Sequence, residues 1–117
     1  MLDLLLQAAP KRALATLKLA MVSGDWVPLT LPDSLQEAVP NARLIAMGGA
    51  TEASIWSNWF DVSQVSPDWR SIPYGYPLSN QGYRILDEHL RDRPDWVTGV
   101  LHISGVGLAL GDDAAPE

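Results

Sequence analysis

Apolar residues along this chain come in short bursts, separated by glycine, proline and acidic side chains, and those bursts predict the elements. Leu2 to Ala9 fits the last turns of a helix, and Pro10 disfavours helical geometry at Ala9. Lys11 to Ala15 reads as helix or turn, because Ala13, Leu14 and Ala15 are good helix formers. Leu17 to Val22 reads as a strand that runs into Ser23-Gly24-Asp25-Trp26-Val27-Pro28, where glycine and proline mark a loop. Pro32 to Val39 is a short helix with proline near its first turn, closed by Pro40 and Asn41. A second strand follows over residues 43–47. Two apolar strands around a helix are what a mostly parallel sheet produces.

The pattern changes after residue 57. Asn58 to Val65 has the aromatic and β-branched content of a strand, and Ser66 to Ser71 reads as a loop. Ile72 to Asn80 is rich in proline and glycine and suits a structured crossing between subdomains. Gly82 to Leu86 alternates around Tyr83 and Ile85 as a strand does, and Asp87 to Trp96 is charged and turn-rich. Val97 to Ser104 reads as another strand, Gly105 to Gly111 is broken by glycine, and Asp112 to Glu117 looks like a frayed tail. The first part, residues 1–71, is thus one strand–helix–strand step of an α/β sheet. The second, residues 72–117, is a linker and the start of an antiparallel β subdomain. Neither is a layered domain with both faces covered. The pattern fits either a small α+β domain or a piece of something larger.

Composition narrows the partners. Eight basic against fourteen acidic residues give a net charge of −6. Residues 1–60 hold four basic and five acidic groups and residues 61–117 hold four and nine, so the second half carries nearly all the excess. Nucleic acid and anionic membrane are poor partners for such a surface. The chain has no cysteine and two histidines, which argues against a disulfide framework and against zinc. The opening residues lack the basic region of a signal peptide, and no apolar run is long enough to span a bilayer. A soluble cytoplasmic chain is expected.

The candidate chemistry lies in Arg43 to Asn58. A short apolar run empties into Gly48 and Gly49, then Ala50, Thr51 and Glu52, and then a second apolar run. In open α/β sheets the ligand crevice lies outside the carboxyl ends of the strands. Two glycines let backbone approach a planar or charged ligand. Thr51 offers a hydroxyl to a phosphate oxygen, and Glu52 offers a carboxylate suited to a magnesium ion. By residue type alone, a strand followed by a Gly-Gly turn and a capped helix is the better account of the stretch, ahead of a nucleotide site.

Gly48-Gly49-Ala50-Thr51-Glu52-Ala53-Ser54-Ile55-Trp56-Ser57 resembles the Gly-Pro-Thr-Glu segment of the adenylate-forming superfamily, in the form used by nonribosomal peptide synthetase adenylation domains. Ile72 to Gln81 is similar to the family's next segment, and Gly99 to Gly111 resembles the Gly-Glu-Leu-x-Ile-x-Gly-x-Gly-x-Ala-x-Gly segment after that. These motifs stand in family order at family spacing and cover residues 20–111. Ser23-Gly24-Asp25-Trp26 is similar to a segment of the branch that activates cysteine in siderophore-type, thiazoline-forming synthetases.

The resemblance implies a fragment of the large N-terminal domain of an adenylate-forming enzyme. The backbone of Gly48, Gly49 and Ala50 would lie against adenine, Thr51 would contact the adenylate phosphate, and Glu52 would hold the magnesium of ATP. Thr51 and Glu52 would be the residues serving the reaction itself. Met21, Ser23, Met47, Ile55 and Trp56 would surround the amino-acid side chain, as a small and largely apolar cup with one hydroxyl. Taken singly, Met21, Met47, Ile55 and Trp56 are also what an ordinary core contains.

Departures from the family pattern are Ala50 for proline, Tyr76 for arginine, Val100 for glutamate and Asp112 for an aromatic residue. The family's phosphate loop, its amine-anchoring aspartate, its ribose-binding segment and its small C-terminal domain with the catalytic lysine have no counterpart in this sequence. The expectation is therefore a chain inactive by itself, binding neither ATP nor Mg2+ tightly. Its partners would be the rest of an adenylation domain and a carrier-protein domain. In isolation it would form a homo-oligomer, and a non-catalytic, self-associating module derived from such a domain is the alternative.

Overall fold

The computed structural model of the chain describes residues 1–8, 11–24 and 26–111. Its helices are α1 (Leu2–Ala8) and α2 (Leu31–Ala38), with 3₁₀ turns at Lys11–Leu14 and Thr51–Ala53. Its strands are β1 (Leu19–Val22), β2 (Arg43–Gly48), β3 (Asn58–Asp61), β4 (Tyr76–Pro77), β5 (Gln81–Leu86) and β6 (Val100–Gly105). One sheet has the order β1-β2-β3-β4, and β5 and β6 form a second. The chain divides into two compact units, one of Met1–Gly48 with Trp59–Tyr76, the other of Gly49–Asn58 with the described residues from Pro77 onward.

In the first unit β1 and β2 run parallel, Leu19 beside Arg43 through Val22 beside Ala46. Because side chains alternate along a strand, Ala20, Val22, Leu44 and Ala46 share one face. Leu31, Leu35 and Val39 join them in the core, with Leu35 only 1% exposed. Those three residues sit at i, i+4 and i+8, the spacing that gives a helix one apolar stripe. Pro32 starts α2 without costing a hydrogen bond, and the Val39 N–H donates to the Leu35 carbonyl at its end. Burying a side chain such as Leu35 stabilises the unit by roughly 1.5–3 kcal/mol. At the other side of β2, the Val62 N–H donates to the Leu44 carbonyl, and Phe60 meets the edge of Trp69 at 5.8 Å.

In the second unit β5 and β6 pair antiparallel, from Gln81 opposite Gly105 to Leu86 opposite Val100. Their connection is organised by a buried carboxylate. Asp87 accepts hydrogen bonds from the N–H groups of His89 and Arg91 and from the Arg91 guanidinium, each at 2.9 Å. Next to it Arg84 forks onto both oxygens of Asp92, at 2.9 and 2.7 Å.

The strand–helix–strand step with parallel strands and the antiparallel pair after it are as the sequence predicts; the limits of elements differ. β1 starts at Leu19 instead of Leu17, because the Leu17 N–H closes the preceding turn onto the Leu14 carbonyl. β6 starts at Val100 instead of Val97, whose N–H is turned back to the Pro94 carbonyl while Trp96 holds a φ of 67°. β3 ends at Asp61, well short of Val65, and the expected crossing contains the two-residue strand β4. Ala9, Pro10 and Asp25, and the tail Asp112 to Glu117, lie outside the described residues.

Candidate functional site

Four of the predicted site residues belong to the first unit, where the parallel register relates them. Met21 stands beside Ile45, so the alternation puts Met21, Ser23, Ile45 and Met47 on the face away from α2. Ser23 follows the last paired residue of β1, and Met47 and Gly48 end β2, so all lie at the carboxyl end of the parallel pair. Met21 is 55% exposed and Met47 half-buried, while Ile45 beside Met21 is buried, as are Ala20, Leu44 and Ala46 on the other face. Met21 is therefore a surface side chain, not a core one.

The other predicted residues lie in the second unit. Gly49 has a φ of 152°, and a Cβ placed on it would meet the Ile55 carbonyl oxygen at 2.5 Å and the Ser57 nitrogen at 2.7 Å. The loop folds back over this position, and only a hydrogen atom fits there. Ala50 receives two N–H groups at its carbonyl, those of Ala53 and Ile55, which closes the loop into a knot. Thr51 and Glu52 are exposed on a single 3₁₀ turn anchored by buried Ala53. This corrects the capped helix offered as the other account of the stretch. The turn stops because Ser54 and Ile55 take φ values of 60° and 70°, outside helical geometry.

Ile55 is the centre of a γ-turn of the strained kind, with the Trp56 N–H donating to the Ser54 carbonyl at 2.8 Å. A β-branched residue rarely holds such a φ. Ile55 is 65% exposed and Trp56 41% exposed, so both present side chains outward in place of filling a core.

Sequence reasoning missed the side chains that hold this loop. Ser57 is fully buried and shares a 2.8 Å hydrogen bond with the Tyr83 hydroxyl on β5. Gln81 donates its amide to the Trp56 carbonyl at 3.4 Å, and Ser54 donates to the Gly107 carbonyl at 2.8 Å. Partners separated by 25 to 53 residues leave no local signal in a sequence.

The donor set bears on what the loop can hold. Among the described residues no group of three or more histidine, cysteine or acidic side chains converges as a metal cage. Glu52 offers one carboxylate beside the Thr51 hydroxyl on an exposed turn. Such a site fits magnesium, which takes one or two carboxylates and fills its other positions with water and substrate phosphate.

Comparison with known proteins places this geometry in context. A family model described as AMP-binding enzyme matches residues 1–111. The anguibactin system regulator of Vibrio anguillarum is 59% identical over 95 residues, 81% of this chain and 9% of that protein. Pyochelin synthetase PchE of Pseudomonas aeruginosa is 52% identical over 103 residues, 87% of this chain and 7% of that protein. The chain thus spans less than a tenth of these relatives. Among solved structures, the nonribosomal peptide synthetase FmoA3 superposes with a TM-score of 0.89 at 46% identity, covering 94% of this chain and 12% of that one. FmoA3 has been seen with AMPPNP and with α-methyl-L-serine-AMP. NpsA-ThdA, an artificial adenylation–PCP fusion from Klebsiella oxytoca, has a TM-score of 0.77 at 27% identity, covering 92% of this chain and 20% of that one.

Proposed function

Because the chain belongs to the AMP-binding enzyme family, we propose that it forms one wall of an amino-acid adenylation site in nonribosomal peptide synthesis. The reaction joins an amino-acid carboxylate to the α-phosphate of ATP, giving aminoacyl-AMP and releasing pyrophosphate. The observation that carries this reading is the exposed Thr51-Glu52 turn, directly after a tight Gly-Gly loop at the end of a parallel strand. That is where an α/β sheet receives a ligand.

In this role the backbone of Gly48, Gly49 and Ala50 lies along the adenine. The Thr51 hydroxyl donates to a phosphate oxygen of the adenylate. Glu52 is the carboxylate that holds the magnesium ion, whose charge offsets that of the transferring phosphoryl group when bound. Met21, Ser23, Met47, Ile55 and Trp56 line the side-chain pocket. Two methionines supply polarizable surface suited to sulfur, and Ser23 supplies one weak partner for a thiol. No acidic or basic side chain is among the five, so a charged substrate would be desolvated without compensation. Cysteine is the substrate we assign, with serine and small apolar residues poorer. A small amino-acid adenylate in FmoA3 is in keeping with that size. The remaining walls come from the rest of the adenylation domain, and the aminoacyl group passes to a carrier-protein domain.

Amino-acid-dependent exchange of pyrophosphate into ATP tests the assignment. A complete adenylation domain carrying this segment should give its highest kcat/KM with cysteine; an aromatic or charged substrate in that place would overturn the pocket. The 117-residue chain alone should give no exchange above a no-protein control. A transition state spread over several oxygens needs the full set of donors, and this wall supplies few of them.

A further inference from the structure

The turn that carries Ile55 and Trp56 is held in a backbone conformation that its own residues disfavour. Ser54 and Ile55 lie at φ 60° and 70° in succession, and such residues relax unless their surroundings over-determine them. The Ile55 side chain does not supply that restraint, since it is 65% exposed, and the Ser54 side chain supplies it only through its hydroxyl. The restraint comes from the strand β5 and the residues around it. The Leu78 N–H donates to the Ser57 carbonyl at 2.9 Å, and the Ala109 N–H to the Glu52 carbonyl at 2.7 Å. Gln81 and Gly107 hold the Trp56 carbonyl and the Ser54 hydroxyl. The Ser57–Tyr83 pair differs from all of these because Ser57 has no exposed surface, so water cannot replace the tyrosine.

Resting on the adenylation reading above, we propose that Tyr83 is a positioning residue: through Ser57 it fixes the Ser54–Ser57 turn and thereby sets which amino-acid side chain the pocket accepts. Tyr83 touches neither substrate nor nucleotide in this role. Its effect is registry, because a pocket wall displaced by about an ångström loses much of its discrimination. The same strand thus orders the specificity turn without contributing a pocket side chain.

Two measurements on Tyr83→Phe, which deletes only the hydroxyl, decide the matter. In the 117-residue chain, amide hydrogen exchange at residues 54–57 should rise by roughly 5- to 160-fold, the weight of a buried hydroxyl left without its partner, while β1 and β2 exchange as before. Ser57→Ala should act in the same place. Tyr83→Phe with Ser57→Ala should be less than additive, because the orphaned hydroxyl is gone. In a complete adenylation domain carrying this segment, Tyr83→Phe should raise KM for cysteine and change the cysteine-to-serine ratio of kcat/KM several-fold, with a smaller rise in KM for ATP, because Gly49 and Ala50 touch the same turn. Unchanged exchange at residues 54–57, or a rise shared equally by β1 and β2, would overturn the clamp. An equal rise in KM for ATP and for both amino acids would overturn the role in specificity. Absence of any amino-acid-dependent exchange in the unmutated domain would overturn the adenylation reading instead, and the hydrogen-exchange arm still decides on the clamp.

Discussion

Substituting Gly49 by alanine tests how tightly the candidate site is built. A Cβ at this position would lie 2.5 Å from the Ile55 carbonyl oxygen, 2.7 Å from the Ser57 nitrogen and 3.0 Å from the Ser57 hydroxyl. Two of these neighbours are backbone atoms, so no side-chain rotation relieves the contact. Overpacking of this kind costs about 1–3 kcal/mol. The φ of 152° adds about 1–3 kcal/mol for a conformation that residues with a side chain rarely adopt. Gly24 separates the two effects: its φ is 94°, but nothing lies within 4 Å of a Cβ built there. Gly24→Ala should therefore carry the conformational cost alone, and Gly49→Ala that cost plus the clash. Urea unfolding followed by tryptophan fluorescence reads the difference. With an m-value of about 1–3 kcal/mol per molar, the Gly49→Ala midpoint should fall below that of Gly24→Ala by about 1 M. Equal midpoints for the two variants would refute the claim that loop closure excludes a side chain at Gly49.

Leu35→Ala should destabilise the first unit by about 2–5 kcal/mol, since Leu35 is 1% exposed; thermal unfolding checks it, and Leu4→Ala, at a position 68% exposed, should change little. The Asp87 carboxyl is held below the usual carboxylate range, chiefly by the Arg91 N–H, with help from the His89 N–H, the Arg91 side chain and the charge of Arg93, against an opposing effect of burial. Its native pKa is depressed, so its stabilising effect is complete above the ordinary value near 4 and fades as pH falls through the native one. Asp87→Asn should accordingly lower the urea midpoint at neutral pH, with the gap to the unmutated chain closing on acidification; a gap that persists in acid would refute the assignment. Leu4 and Leu5 lie 68% and 47% exposed on α1, and we expect the isolated chain to form a dimer or larger species at high micromolar concentration. Sedimentation should show Leu4→Glu with Leu5→Glu shifting it toward monomer, and a clean monomer before mutation would refute the expectation.

What the sequence revealed and what it concealed follow from the range of the interactions. The parallel step was legible because Ala20, Leu44 and Ala46 on one side and Leu31, Leu35 and Val39 on the other obey the periods of strand and helix. The antiparallel pair was legible from Tyr83 and Ile85 on one strand and Leu101 and Ile103 on the other, which face one another in register. Boundaries failed where a backbone N–H had a nearer partner, as at Leu17 and Val97. β4 could not be read, because two residues are too few to show a period.

The candidate site divided along the same line. Gly49 announced its own freedom, and the Thr51-Glu52 pair announced its chemistry, since both are properties of residue type. The geometry just beyond them was hidden for a reason specific to this loop. Residues at positive φ are read from glycine and asparagine, yet this turn is made by serine and isoleucine. The turn is held from outside, by a glycine carbonyl 53 positions after Ser54 and by a tyrosine 26 positions after Ser57. A loop whose shape is imposed can present Ile55, 65% exposed, without a core to support it, whereas Trp56 at 41% exposed keeps part of its surface covered. In the proposed pocket, substitution at Ile55 would change the surface presented to a ligand while the Ser57–Tyr83 hydrogen bond stays in place. In the pocket proposed above, that separation of what shapes the turn from what it displays would let the substrate preference change while the frame is kept.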